Sequence, residues 1–261
     1  MSSALWRESR VTVRDEEKDT GMLAREVHTL SILAHPNLLL LMAYSQSLGG
    51  SLQLVYEHVQ LGSLFICLHE STLPALTNMV AKVDVMLQVT DALIFLHSRG
   101  LVHCLISSHA VQLVSGRQAK LGQLEGCVRA GSQGSTACSA LLPWAAPELL
   151  RRGQCSPASD VYSLSCLLWE VTTGALPWQV TEDREELPLD RRLPRYVRRL
   201  LRHGLVRRPE ERDLELAEVR DMLLLTRRME EEAKLERRVV EEPPARGHHL
   251  SRSAIQADVT R

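Results

Sequence analysis

The segment from Asp160 to Thr173 has apolar residues on nearly every side of a helix: Val161, Leu164, Leu167, Leu168, Trp169 and Val171. A helix apolar nearly all round belongs at the centre of a domain, where other elements cover it. Asp160 suits its N-terminus and Gly174 its end. At 261 residues the chain is long enough to supply the cover.

The surrounding elements follow from periodicity. Leu23, Val27, Leu30 and Leu33 recur at helical spacing until His35-Pro36-Asn37 breaks the pattern. Leu38–Ala43 and Leu52–Val59, separated by Ser47-Leu48-Gly49-Gly50, read as neighbouring antiparallel strands. A long helix is expected from about residue 78 to Gly100, with Val83, Met86, Leu87, Thr90, Leu93, Ile94 and His97 on one face. Short apolar segments follow at Leu101–Val102, Val111–Val114 and Ala119–Leu121, then a Gly/Ser-rich loop from Gly126 to Ser139. Further helices are expected at 193–203 and 213–225. Residues 227–246 carry twelve charges in twenty positions, so 227–261 reads as a charged, disordered tail whose first part is a solvated helix. A strand-rich part followed by a helical part defines an α+β chain in two lobes.

Composition narrows the function classes. A formal charge of −1 offers no bulk attraction to nucleic acid or an anionic membrane. The longest useful apolar run, Leu38–Ala43, is too short to cross a bilayer, and MSSALWRESR lacks the apolar core of a signal peptide. The six cysteines form no CxxC pair, no zinc-ligand spacing and no disulfide framework, which fits a reducing, cytoplasmic compartment. The ten histidines show no metal geometry, and His248-His249 reads as a solvated pair.

Six motifs in register resemble the protein kinase superfamily. Glu26 precedes His35-Pro36-Asn37 as the αC glutamate precedes its HPN turn, and Leu54-Val55-Tyr56-Glu57 resembles the last N-lobe strand with Tyr56 as gatekeeper. Leu101-Val102-His103 resembles the approach to the catalytic loop, and Ala146-Pro147-Glu148 is the A-P-E signature. Asp160-Val161-Tyr162-Ser163-Leu164 resembles the start of helix αF, and Arg212 the arginine that pairs with the A-P-E glutamate. The resemblance implies a bilobal kinase-like domain over 1–226, with an N-lobe at about 1–58 and a mostly helical C-lobe at about 59–226.

Aligned on that pattern, the catalytic positions are degenerate. The H-R-D-L-x-x-x-N stretch falls on His103 to Ala110, placing Leu105 at the base position and Ala110 at the metal-binding asparagine. The D-F-G position reads Gln123-Leu124-Glu125, so the Mg²⁺ carboxylate is a neutral amide, and Glu125 reads as a solvated loop charge. Val11-Thr12-Val13-Arg14 resembles V-A-I-K with arginine in place of lysine. The first glycine is Gly21, so no glycine-rich loop precedes Arg14, and the N-lobe reads as truncated by two strands. Cys104 replaces the arginine that would receive a phosphorylated activation loop, although Ser132, Ser135, Thr136 and Ser139 offer hydroxyls nearby.

The expected function is therefore that of a catalytically inactive scaffold with protein partners, no metal, no cofactor, no nucleic acid and no membrane. The alternative is a pseudokinase that binds ATP as a structural ligand through a vestigial pocket of Arg14, Glu26, Glu57 and Val59. An active but rewired enzyme would need another carboxylate, such as Glu125 or Asp91, in the site. A sheet edge left open by the short N-lobe favours self-association. Arg10–Arg14, Leu39–Ala43, Leu61-Gly62-Ser63-Leu64-Phe65 and Trp144–Glu148 resemble the pseudokinases of germ-cell intercellular bridges, which implies the bridge or midbody as a location, and more distantly the integrin-linked kinase group. No ankyrin repeats accompany the domain, and the tail has Glu242-Pro243-Pro244 and His248 where the bridge proteins carry Gly-Pro-Pro-x-x-x-Tyr.

Overall fold

The computed structural model describes residues 1–6, 9–16, 22–46, 51–71, 76–132, 143–177 and 187–241. Ser135, Thr136, Ser139, Pro243-Pro244 and His248-His249 lie outside the described residues.

The N-terminal part is an antiparallel sheet of four strands, β1 (Ser2–Trp6), β2 (Ser9–Glu16), β3 (Leu41–Gln46) and β4 (Leu52–Glu57), in the order β1-β2-β4-β3. Helix α1 (Met22–Ile32) follows β2 and carries Glu26. Alternation sets the inner face of β4: Leu52, Leu54 and Tyr56 are buried while the residues between them are not. Strand β1 refines one expectation. The residues ahead of Arg14 are too few for the two strands of a glycine-rich loop, but they do supply one, a hairpin with β2 in which Ser2 pairs with Val13 and Trp6 with Ser9. Five residues suffice because an antiparallel partner needs only a tight turn.

The helical part is built on α2 (Met79–Ser98), α3 (Pro147–Arg152), α4 (Pro157–Thr173), α5 (Arg195–Gly204) and α6 (Leu216–Glu241), with short strands β5 (Gly62–Ser63), β6 (Leu101–Val102), β7 (Val111–Ser115), β8 (Gln118–Leu121) and β9 (Val128–Arg129). Helix α4 is the predicted central element, buried without interruption from Ser159 to Val171. It begins earlier than expected: Ser156 is its cap, Ser156 and Ser159 form a reciprocal capping box, and Pro157 opens the first turn. Asp160 thus lies inside the helix, where its carboxylate is free to serve another element. Helix α2 is capped by Asn78, whose Oδ1 accepts the Ala81 N–H at 3.0 Å. Helix α6 runs on into the charged segment from residue 227, whose first part reads as a solvated helix, and it is anchored by Arg220 to Asp91 and Arg227 to Asp84 on α2, each at 2.7 Å.

The two parts meet at the turn read as HPN. Leu39 N–H donates to the Leu121 carbonyl at 2.9 Å and Leu121 N–H to the Asn37 carbonyl at 2.8 Å, a parallel bridge between α1's exit and β8. His35 stacks on Phe95 of α2, ring centres 4.8 Å apart. Among the described residues no helix is long and apolar enough to cross a membrane.

Candidate functional site

A cavity of about 320 Å³ lies between the sheet and the helical part, lined by Thr12, Arg14, Val59, Gly62, His109 and Gln123 among others. Arg14 at the edge of this cleft reaches inward. Its Nη1 binds Glu26 Oε2 at 3.1 Å and its Nη2 binds Glu125 Oε1 at 3.0 Å. Glu125 is therefore not the solvated loop charge its sequence position suggested; it is 5% exposed and anchors the short helical turn Leu124–Gly126 to β2. An arginine fork presents two donor edges, so one side chain clasps a strand, a helix and a loop.

The clasp holds two carboxylates against one cation. Burial, then repulsion from Glu125, pushes the Glu26 carboxyl up to about 8. Burial and the neighbouring Glu26 charge raise Tyr56 as well. Glu26 Oε1, Glu125 Oε2, Gln123 Oε1 and the Tyr56 hydroxyl are all buried without a hydrogen-bond partner among the described residues. The structure thus joins Arg14, Glu26 and Glu125, with Gln123 at the floor of the cleft in a left-handed conformation, φ 57°.

At the hinge, Val59 N–H faces the cleft but donates to the Thr12 hydroxyl at 2.8 Å. Thr12 was passed over in the sequence; its signal was a hydroxyl in an otherwise apolar strand that must find a buried partner. Glu57 turns away from Arg14. Its carboxylate takes the Leu40 N–H at 2.8 Å and both contacts of Lys120 Nζ, at 2.6 and 2.8 Å.

The loop from His103 to Ala110 keeps its frame. Asp160 Oδ2 accepts the His103 N–H at 2.8 Å and Oδ1 the Cys104 N–H at 2.9 Å, while His97 Nε2 lies 2.9 Å from Oδ2. These bonds hold Cys104 at φ 66°, a conformation that costs a non-glycine residue energy. His103 Nδ1 accepts the Leu105 N–H and Nε2 faces the Gly122 carbonyl, which requires the proton on Nε2. Burial lowers its basicity and keeps the ring neutral.

On that frame stands Leu105, buried and packed directly on Gly126, with no polar atom to offer. Ala110 is fully buried, its N–H returned to Ser107. Cys104 is disulfide-bonded to Cys155 across 51 residues, Cα atoms 6.0 Å apart. No spacing rule reaches a pair so remote, which is why the cysteine pattern suggested no disulfide.

Below the loop, Glu170 of α4 is fully buried and accepts from Trp144 Nε1 at 2.6 Å and Ser108 Oγ at 2.8 Å, with His69 Nε2 also at 2.8 Å. Burial raises its carboxyl despite these donors. Arg212 is clamped to Glu148 at 2.9 Å and to the Val206 and Ala158 carbonyls. Among the described residues no group of three or more His, Cys, Asp or Glu is placed to hold a metal ion.

A two-lobed fold hinged over a cleft, with an α1 glutamate bound to a strand cation and an A-P-E glutamate bound to Arg212, defines the protein kinase class. Residues 10–213 match the protein tyrosine and serine/threonine kinase family, and the chain belongs to it. It is 34% identical over 253 residues to the inactive serine/threonine-protein kinase TEX14 of Mus musculus, covering 85% of this chain and 17% of that protein. Against the inactive serine/threonine-protein kinase TEX14 of Bos taurus it is 32% identical over 250 residues, covering 84% and 17%. The non-receptor tyrosine-protein kinase TNK1 of Homo sapiens is 36% identical over 189 residues, covering 65% of this chain and 28% of that one. The chain thus spans less than a fifth of the length of the two inactive relatives.

Proposed function

We propose that the chain is a catalytically inactive kinase-fold module that acts by binding other proteins. The observation that carries this reading is Leu105. The base position is an alkyl group packed on Gly126, so a substrate hydroxyl would find neither a proton acceptor nor a group to align it. Two inactive relatives at about one-third identity support the same conclusion.

The cleft residues do not fit a nucleotide with its metal. Val59 N–H is already satisfied by Thr12, and both edges of Arg14 are engaged by carboxylates. Gln123 stands where a metal carboxylate would be needed, and Glu125 is held by Arg14. On this reading ATP is not a cofactor, and side chains of the protein do the bracing that a nucleotide would do elsewhere. The fold is kept for its surfaces. Cytoplasmic location, where a reducing compartment would hold Cys104 and Cys155 as neighbouring thiols, belongs to the same proposal, with the intercellular bridge or midbody as the germ-cell resemblance implies and self-association along the outer strands β1 and β3.

Incubation with radiolabelled ATP, Mg²⁺ and a mixed protein substrate is expected to yield no label above a no-enzyme control. Label above that control, lost on mutation of a cleft residue such as Arg14, would overturn the reading.

A further inference from the structure

Helix α5 carries Arg195, Arg198, Arg199 and Arg202 and no acidic residue; the segment 191–208 carries eight arginines and no carboxylate. Its apolar side, Val197, Leu200, Leu201 and Gly204, is buried in the helical core. The opposite side is exposed at Arg195, Arg199 and Arg202, spaced i, i+4, i+7 on one helical face. No described carboxylate pairs with Arg191, Arg199 or Arg202. Arg195 is held in place instead, its guanidinium 4.5 Å above the Tyr196 ring and bonded to the Tyr196 hydroxyl. Like charges at this spacing repel, and Arg195 faces the positive end of the helix dipole. A bound anion would relieve the repulsion across this face.

We propose that the arginine face of α5 is a docking surface for a short, carboxylate-rich segment of a protein partner. The proposal deepens the reading of the chain as a protein-binding module and rests on it. Guanidinium forks bind carboxylates in bidentate pairs. A ten-residue helix is about 15 Å long, the reach of roughly five extended residues. Longer polyanions fit poorly. The eight charges sit in a chain of net −1, so the remainder carries −9, and Glu210, Glu211, Asp213 and Glu215 stand exposed just beyond the patch. A membrane surface would need an exposed apolar face, which α5 has turned inward. Single-stranded RNA would need open aromatic platforms, and of the helix's two rings Tyr196 lies under Arg195 while His203 faces the Asp213 carboxylate.

The test is fluorescence anisotropy of a labelled peptide of about eight residues rich in Glu and Asp, titrated with the full chain at physiological salt. Phosphatidylserine vesicles and an RNA oligomer of equal charge serve as comparison probes. Binding of the peptide is expected, weakened about tenfold or more in the Arg195→Ser/Arg199→Ser/Arg202→Ser variant, whose fold is checked by circular dichroism and melting because Arg195 also loses its contact with Tyr196. The Arg→Lys triple variant, which keeps the charge and the fold, is expected to weaken binding as well because it loses the bidentate geometry. Equal peptide binding by the serine variant, no binding by the native chain, or tighter binding of vesicles or RNA than of peptide would each overturn the proposal. Such failure would leave the catalytic reading untouched, since that stands on the separate phosphoryl-transfer assay.

Discussion

Arg14 on β2 binds Glu125, 111 residues away, as closely as it binds Glu26 on α1: 3.0 Å against 3.1 Å. The second contact gives the substituted arginine a structural role. A lysine would present a single point of charge; the fork reaches both carboxylates and fixes α1, β2 and the loop after β8 together.

Removing that cation leaves two buried carboxylates facing each other. Arg14→Ala is expected to destabilise the fold by about 3 kcal/mol, with Arg14→Lys recovering part of the loss. Urea denaturation of the two variants checks this. Equal stability of Arg14→Ala and the native chain would show that the clasp contributes nothing.

The same clasp sets a pH dependence. Glu26 titrates near 8 in the fold against an ordinary 4.5, so between those values the folded chain holds a proton that the unfolded chain releases. Its contribution to stability is fully present below 4.5 and is lost as pH rises through 8. His103, lowered from an ordinary 6.5, opposes this only on the acid side, and the Cys127 thiol, raised from 9.0 by burial, adds a fall of the same sign only nearer pH 9, so the interval from about pH 7 to about pH 8 reports Glu26. Stability is expected to fall from about pH 7 to about pH 8, and to fall less in Glu125→Gln, which removes the repelling charge. Parallel denaturation curves at both pH values, with identical slopes for native and variant, would contradict the assignment.

Leu105→Asp, which puts a carboxylate at the position aligned with a catalytic base, is expected to damage the fold and to yield no phosphoryl transfer. The site is apolar and packed on Gly126, and an unpaired buried carboxylate costs several kcal/mol. Gly126→Ala tests the same contact from the other side, since its Cβ would meet the Leu105 side chain; a loss of about 1–3 kcal/mol is expected. Calorimetric melting of both variants measures the effect, and an unshifted Gly126→Ala would mean that the contact relaxes freely.

The ion pair of Glu148 and Arg212 closes the helical part. Arg212's side chain is wholly buried, so Glu148→Ala leaves a cation with the Val206 and Ala158 carbonyls and the Tyr162 ring but no counter-charge. A loss of about 3–5 kcal/mol is expected, read by chemical denaturation. A loss below about 1 kcal/mol would place this pair with ordinary surface bridges.

Much of this architecture was legible because it is local. The apolar run of α4, the helical spacing of α1 and α2, and the order of His35-Pro36-Asn37, Ala146-Pro147-Glu148 and Asp160 are all carried by neighbouring residues. Strand β1 was missed because five residues with Ser2, Ser3, Ala4, Leu5 and Trp6 show no sustained alternation, and only the pairing with β2 makes them a strand. Glu125 was misread because its partner lies 111 residues upstream, and no pattern near Glu125 reveals it. Glu170 stood in plain view as one carboxylate in an apolar helix, a position that requires buried donors, but Trp144, Ser108 and His69 are brought to it only by the fold. Leu105 and Ala110 could be placed directly, because the stretch from His103 to Ala110 is contiguous in the sequence.

The central claim is that the cleft is braced by the protein's own side chains and neither needs nor takes a nucleotide. Thermal melting of the chain during titration with ATP, with and without Mg²⁺, tests it most directly. A ligand at about a hundred times its dissociation constant stabilises a fold by about 2.7 kcal/mol, a shift that melting resolves easily. No shift in the native chain is predicted under either condition. A clear, saturable shift, abolished when Arg14 is replaced, would contradict the account and make the cleft a nucleotide site.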